Sequence, residues 1–162
     1  MHPNAATIQR FYRAFERLDP DTMAACYAEN VAFDDPVFSL QGKRDTMGMW
    51  RMLCESVTRA GREAWSLQAS DIAADATAGR AHWQASYRFG ATGRLVHNRI
   101  DALFVFDAQG QIERHHDRFD FGAWAAQALG LPGRLLGWTP WLRRRVQAQA
   151  ETGLRRFLAV RA

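Results

Sequence analysis

The sequence predicts an α+β fold, with helices in the first part of the chain and a meander of antiparallel strands after them. Near the N-terminus, apolar residues recur at the spacing of one helix face, as Ile8, Phe11 and Phe15 do. From Trp83 onward, apolar and polar residues alternate, and glycine-containing turns separate the alternating runs. A chain of 162 residues suits one domain with one core.

Three helices are predicted ahead of the long strands. The first covers residues 5–18. The second follows Asp19-Pro20, a cap and a first-turn proline, and extends through Tyr27 to residue 30. A short strand at 31–34 then precedes a third helix at 44–57.

Four strands follow the third helix, at residues 65–69, 83–89, 95–106 and 112–119. In the last strand, strict alternation places four residues on each face. One face carries Glu113, His115, Asp117 and Phe119, and the other carries Ile112, Arg114, His116 and Arg118. A histidine, a carboxylate and an aromatic ring on one face suit a polar group in an apolar site for a small molecule.

Composition excludes several classes of protein. Hydrophobic residues make up 48% of the chain and charged residues 23%, but no apolar run has the roughly 20 residues that cross a bilayer. The N-terminus has no basic and apolar signal-peptide pattern. Cys26 and Cys54 lie in apolar helical patterns, so we expect buried free thiols and a cytoplasmic location.

The positive charge is confined to the tail. Residues 134–162 contain seven arginines and one acid, which leaves the first 133 residues mildly acidic. The net charge of +4 is therefore poor evidence for nucleic acid binding, and we expect none.

Three sequence motifs, in this order along the chain, resemble those of one superfamily. They are Tyr27-Ala28-Glu29-Asn30-Val31-Ala32-Phe33-Asp34-Asp35-Pro36, then Gly42 before a helix, then Phe106-Asp107-x-x-Gly110-x-Ile112. Residues 5–125 resemble the nuclear transport factor two-like superfamily, within it the SnoaL-like and ketosteroid-isomerase-like groups. The resemblance implies a cone-shaped curved sheet wrapped on three N-terminal helices, with an apolar pocket at its open end.

The ketosteroid isomerases are similar at Asp35, which falls on their general base. Their oxyanion-hole tyrosine falls on Phe11, which has no hydroxyl, and their partner carboxylic acid falls on Ala102. The donors for an enolate are therefore missing, and the sequence argues against classical ketosteroid isomerisation.

The SnoaL-like polyketide cyclases are more similar in the last strand, where Ile112, His115 and Asp117 match their Ile-x-x-His-x-Asp pattern. This resemblance implies that Asp117 is the acid/base, with His115 as a polarising or orienting group and Asp35 as a second carboxylate. It also implies that the pocket receives Trp50, Trp83, Tyr87, Asn98 and Phe119, with Phe11 at the tyrosine position.

The chemistry is sensible for these residue types. Burial disfavours a charged carboxylate and raises its pKa toward neutrality, and a base of that pKa suits proton abstraction beside a carbonyl. The expected enzyme is an isomerase or cyclase that needs no cofactor and acts on an apolar carbonyl compound. A binding module for a hydrophobic ligand and a dimeric interaction domain remain alternatives.

Other interpretations of the same residues stay open. Asp35 suits a cap of the loop after its strand, and His115 with Asp117 suits a satisfied buried pair that holds the sheet. These three residues could also bind a metal, but dispersed ligands are weak evidence, and no metal site is predicted.

The sequence divides into a SnoaL-like cone domain at residues 1–130 and a basic amphipathic helical extension at 131–162, packed on the same domain. Pro140 suits the first turn of a last helix, whose apolar stripe runs from Trp141 to Leu158. That helix could cover the mouth of the cone as a lid, form a dimer contact, or lie on an anionic membrane, the last being less favoured. We expect a homodimer.

Overall fold

The computed structural model describes residues 1–161 and shows a mixed α+β fold. The helices are α1 (Pro3–Glu16), α2 (Pro20–Ala24), α3 (Lys43–Gly61), α4 (Phe121–Leu129), α5 (Leu131–Leu136) and α6 (Pro140–Val160), with a short 3-10 turn at Arg62–Ala64. The strands are β1 (Tyr27–Asp34), β2 (Ser39–Gln41), β3 (Ser66–Ala74), β4 (Ala78–Arg88), β5 (Leu95–Phe106) and β6 (Ile112–Arg118). The predicted α+β fold class is confirmed.

The six strands form one sheet in the order β2-β1-β6-β5-β4-β3. Strands β3 to β6 form the predicted antiparallel meander, and β5 has the bounds that its alternation indicated. Strand β1 pairs in parallel with β6, and β2 pairs with β1 at the edge of the sheet. Helices α1 and α3 pack on the concave face, where Ile8, Phe11, Phe15 and Trp50 join one apolar core.

The prediction that Tyr27 lies in the second helix is wrong. Helix α2 ends at Ala24 after little more than one turn, and β1 begins at Tyr27. The helical spacing of Met23, Cys26 and Tyr27 arises because all three side chains are buried in the core. Met23 belongs to α2, Cys26 to the connection and Tyr27 to β1. Tertiary packing overrides local periodicity at this point.

The strict alternation assigned to β6 is also wrong at its start. Phe106 pairs with Ile112 and Val105 pairs with Arg114, so Glu113 is an extra residue in a β-bulge. The bulge places Ile112 on the same buried face as His115 and Asp117, whereas Arg114, His116 and Arg118 are exposed.

The C-terminal helix packs along α3. Leu154 and Leu158 are buried in the core, and a side chain at Gly48 would come within 2.6 Å of Leu158 Cδ2, so glycine permits this close approach. Ion pairs from Arg155 to Asp45 (2.8 Å) and from Arg161 to Glu55 (2.8 Å) link the two helices at the surface.

Trp141, which the sequence places on the apolar stripe of this helix, is 54% exposed and lies at one end of the stripe, beyond the part that packs. Within residues 1–161, no helix has both the length and the apolarity needed to cross a bilayer.

Candidate active site

A cavity of about 480 Å³ lies between the concave face of the sheet and the helices α3, α4 and α6. Its inner end includes the buried residues Trp83, Ile100 and Asp117, and its outer rim includes the exposed residues Ala91 and Gln149. Most of the wall is apolar, and it includes Met49, Leu53, Val57, Phe89, Trp124, Leu129, Val146 and Ala150. Such a cavity is of the size that small-molecule sites have.

Seven of the nine residues that the sequence singled out line this cavity. They are Asp35, Trp50, Trp83, Tyr87, Asn98, Asp117 and Phe119. The other two, His115 and Phe11, lie behind the wall and are buried to 1% and 0% exposure. The β-sheet explains the grouping, because Asn98 and Asp117 come from the concave faces of neighbouring strands.

Phe11 does not line the cavity as expected. Its ring packs at 5.5 Å, edge-on, against the His115 imidazole and at 5.3 Å against Tyr27. From helix α1 it is Phe15, one turn further along, that lines the cavity, whereas Phe11 supports the residues behind the wall.

Asp117 is held by His115. The imidazole Nε2 lies 2.9 Å from Asp117 Oδ1, and both side chains are buried, with side-chain exposures of 0% for His115 and 3% for Asp117. Among residues 1–161, the carboxylate has no other hydrogen-bond partner, although Asp117 lines the cavity. Its second oxygen is therefore available to a molecule in the cavity.

A buried hydrogen-bond chain continues behind His115. Tyr27 Oη lies 2.6 Å from His115 Nδ1, and Trp50 Nε1 donates to Tyr27 Oη at 2.9 Å. Burial raises the pKa of the Tyr27 hydroxyl well above its ordinary value, so Tyr27 keeps its proton.

The chain fixes the imidazole tautomer. The indole N–H of Trp50 can only donate, so the Tyr27 hydroxyl proton has His115 Nδ1 as its partner. Nε2 then carries the ring proton and donates it to Asp117 Oδ1. In the opposite arrangement, Nδ1–H would donate to Tyr27 and the buried Tyr27 proton would have no acceptor, which carries a free-energy cost of about 1–3 kcal/mol.

This arrangement limits what His115 can do. Both ring nitrogens are engaged inside the protein, and the ring is packed against Phe104 at 4.5 Å and Phe33 at 5.1 Å between centroids. A polarising role would require His115 to donate a hydrogen bond to a substrate oxygen, which does not fit this geometry, whereas orienting Asp117 does.

Asp35 has both of the roles that its sequence position allowed. Its Oδ1 accepts hydrogen bonds from the backbone N–H of Val37 and Phe38, both at 2.7 Å, which caps the loop after β1. It also lines the cavity. Burial in this apolar wall raises the pKa of Asp35 to about 6; the two backbone hydrogen bonds oppose the rise, and the nearby Asp117 carboxylate adds to it.

Tyr87 presents a hydroxyl to the cavity. Trp124 Nε1 donates to Tyr87 Oη at 2.9 Å, which leaves the Tyr87 proton free to donate elsewhere. Burial raises the pKa of Tyr87 to about 12, so the hydroxyl remains a donor at neutral pH.

Two residues at the site escaped sequence reasoning. Tyr27 was assigned to a helix, although the quoted superfamily motif begins with it, and its position next to β6 would have brought it to His115. Trp124 lies in α4, where its role in the wall depends on packing of α4 against β5.

Within residues 1–161, a further groove and three unpartnered buried polar groups are found, and one of these groups belongs to Trp83 of the cavity wall. A second groove of about 270 Å³ beside α1 and β3 is lined by Gln9, Arg13, Glu16 and Gln68 with few catalytic residue types. The hydroxyls of Tyr12 and Thr46 and the Trp83 indole N–H are buried without partners in residues 1–161. No three His, Cys, Asp or Glu residues cluster as metal ligands in that part of the chain.

Comparison with known proteins adds a family. A model of the SnoaL-like domain matches residues 8–115. No curated protein sequence matches the chain.

Solved structures show the same fold at low sequence identity. A candidate polyketide cyclase from Xanthomonas campestris pv. campestris is 24% identical over 77% of this chain and 96% of that one, with a TM-score of 0.61. TsrD from Streptomyces laurentii is 21% identical over 77% and 92%, with a TM-score of 0.63. An LEH-like epoxide hydrolase from M. tuberculosis is 20% identical over 82% and 95%, with a TM-score of 0.60.

Proposed function

Because this chain belongs to the SnoaL-like domain family, we propose that its cavity is the active site of an enzyme that moves a proton on an apolar carbonyl compound, as an isomerase or a ring-closing cyclase does. The observation that carries the proposal is the placement of Asp117, which has one oxygen held by buried His115 and the other free towards the cavity. The substrate class follows from the mostly apolar wall.

In the proposed reaction, the free oxygen of Asp117 takes the proton from a carbon next to the carbonyl. The C–H bond breaks, an O–H bond forms on Asp117, and the electron pair moves to the carbonyl oxygen as an enolate. In an isomerase, the enolate is conjugated with a C=C bond and is protonated at a different carbon. In a cyclase, the enolate carbon attacks a second carbonyl to close a ring, and the oxygen of that carbonyl takes the proton. Asp117 returns its proton in either case.

The enolate oxygen needs a donor, and Tyr87 supplies it. Its hydroxyl accepts from Trp124 and has its own proton free, which replaces the hydroxyl missing at Phe11. The Asn98 amide lines the same cavity and can donate as well. His115, in this scheme, is a positioning residue that acts through Asp117.

One observation favours a second reaction, the hydrolysis of an apolar epoxide, which is the activity in the name of the M. tuberculosis neighbour. Asp35 and Asp117 share the cavity, and the pKa of Asp35 is about 6. Asp117 would take a proton from a water molecule while the oxygen of that water attacks the epoxide carbon. Protonated Asp35 would give its proton to the leaving epoxide oxygen.

Exchange of carbon-bound hydrogen tests the first reaction without knowledge of the natural substrate. Apolar ketones, with α-tetralone as the first probe, are incubated with the protein in heavy water, and deuterium uptake next to the carbonyl is measured by mass spectrometry. We expect exchange by the wild type and a loss of about 10²–10⁴-fold in D117N, with ketone affinity retained. Conversion of styrene oxide to its diol tests the second reaction in the same variants.

The matched control is D101N, which removes an exposed carboxylate that bonds His82 on the outer face of the sheet. D101N should exchange ketone hydrogens like the wild type. Unchanged exchange in D117N would remove the catalytic assignment. A wild type that binds ketones but neither exchanges their hydrogens nor opens epoxides would favour the binding alternative.

A further inference from the structure

Half of the large exposed apolar side chains in the described chain lie within one short segment. Ten such residues are found in residues 1–161, and five of them fall between 131 and 141. These five are Leu131 (64% exposed), Leu135 (62%), Leu136 (38%), Trp138 (81%) and Trp141 (54%), and we call them the tryptophan–leucine surface. A cluster of this kind marks an interaction site more often than isolated exposed residues do.

The packing of α5 places Leu131 and Leu135 on its outer side. Gly133 and Gly137, one helical turn apart, face α4, and a Cβ at Gly133 would overlap the carbonyl oxygen of Ala125. Leu131 and Leu135 are each two positions from Gly133, so they lie about 200° around the helix on the opposite side. The glycine face is the buried one, and the apolar face is left to the outside.

The charged residues of the segment that contains this surface are all basic. Residues 121–150 contain four arginines, at positions 134, 143, 144 and 145, and no acidic residue. All four arginines are exposed, and none has a carboxylate partner among the residues described. Arg145 lies over the Trp141 ring at 5.7 Å, so charge and aromatic surface are adjacent.

The positive charge of this surface favours an anionic partner over a second copy of the chain. A symmetric contact with a second copy would place this surface against itself, and the four arginines of each copy would repel those of the other. An anionic partner is attracted instead. Indole rings prefer the boundary between lipid headgroups and acyl chains, where one side is apolar and the other is wet.

We propose that the tryptophan–leucine surface binds the surface of a membrane that contains anionic phospholipids. The leucines and tryptophans insert at the headgroup boundary, and Arg134, Arg143, Arg144 and Arg145 contact lipid phosphates. Leu154 and Leu158, the part of the α6 stripe that packs on α3, have no part in this contact. The proposal is independent of the reaction in the cavity.

Vesicle binding by the full chain tests this proposal. Phosphatidylcholine vesicles with and without phosphatidylglycerol are sedimented with the protein, and the bound fraction is measured. We expect binding only with phosphatidylglycerol, and loss of binding when salt is raised to about 1 M, where charges are screened within about 3 Å. R143Q/R144Q/R145Q should weaken binding about fivefold per arginine, and W138S/W141S about tenfold or more.

Matched controls change equally exposed side chains elsewhere. R99Q/R114Q/R118Q removes three exposed arginines from the outer face of the sheet, and L103S removes an exposed leucine from the same face. Both should bind vesicles like the wild type. Brominated lipid should quench wild-type tryptophan fluorescence, and W138F/W141F should bind but lose this quenching.

Three results would overturn the proposal. The wild type could fail to sediment with anionic vesicles. The control variants could lose as much binding as the surface variants. Finally, W138S/W141S could convert a dimer into a monomer in analytical ultracentrifugation, which would assign this surface to a second copy of the chain.

Discussion

The Tyr27 hydroxyl lies 2.6 Å from Nδ1 of His115, although 88 residues separate the two in the chain. This contact determines which nitrogen of His115 carries the ring proton and therefore how the imidazole meets Asp117. Asp117, which lines the cavity, is thus oriented by His115 and Tyr27, which do not line it.

Y27F removes this control. The buried Trp50 N–H loses its acceptor, so we expect the free energy of unfolding to fall by about 1–3 kcal/mol. The His115 ring proton is no longer confined to Nε2, and heteronuclear NMR of labelled imidazole nitrogens should detect the second tautomer. Turnover should fall with little change in KM.

W50F is the comparison for Y27F. It deletes the donor to Tyr27 but leaves the bond from Tyr27 to His115 in place. The wild-type tautomer should persist in W50F. A wild-type tautomer in Y27F as well would show that Asp117 alone sets the ring.

Asp35 gives the stability a specific pH dependence. The native state holds the Asp35 proton more tightly than the unfolded chain, because its pKa is about 6 in the fold against an ordinary value of about 3.9. Its contribution is therefore fully present below about pH 4 and is lost as pH rises through about 6. D35N keeps the oxygen that accepts from Val37 and Phe38 and should be up to about 3 kcal/mol more stable than the wild type above pH 7.

Asp75 is a matched control for this prediction. It accepts the same kind of backbone hydrogen bonds, from Thr77 and Ala78, but it is exposed and these bonds lower its pKa. D75N should gain no stability at high pH. Denaturant unfolding at several pH values measures both variants, and a D35N curve parallel to the wild type would contradict the assignment.

Tyr87 is predicted to act on the oxygen of the substrate. Y87F removes the free hydroxyl proton and leaves the Trp124 N–H without its acceptor. We expect kcat for ketone exchange to fall about 10²–10³-fold, as loss of an oxyanion donor does, with ketone affinity little changed. Equal losses in kcat and in affinity would indicate a binding role instead.

Two helical glycines should respond in opposite directions to alanine. G133A places a methyl group against the backbone carbonyl of Ala125, which cannot move aside, so we expect a loss of about 1–3 kcal/mol or more. G153A, in α6, has open space around its Cβ and should stabilise the chain by about 0.5–1 kcal/mol. Thermal unfolding of the two variants measures this difference.

Local patterns were sufficient for most of the fold, and the family resemblance supplied part of the cavity wall. The alternation of β5 predicts its bounds, and the resemblance placed Trp50, Trp83, Tyr87, Asn98 and Phe119, all of which line the cavity. Periodicity encodes the order and faces of the strands, whereas the choice of these five residues came from the resemblance.

The remaining positions depend on contacts that periodicity does not encode. Tyr27 has helical spacing to Met23 yet lies in a strand, because it pairs beside Ile112 on β6. Ile112 lies on the buried face of β6, and not on the exposed face that strict alternation predicts, because Glu113 forms a bulge. Phe11 aligned with a cavity residue of the ketosteroid isomerases, but its depth is set by the packing of α1 on the core.

The match to the family ends at His115, whereas Trp124, Leu129, Val146 and Ala150 on the cavity wall come from later in the chain. The stretch that matches the family and the stretch that supplies these four wall residues are thus separate in the sequence. Evolution can therefore exchange one without rebuilding the other. Relatives that keep the histidine–aspartate pair but diverge after it should differ in ligand preference while sharing one chemistry.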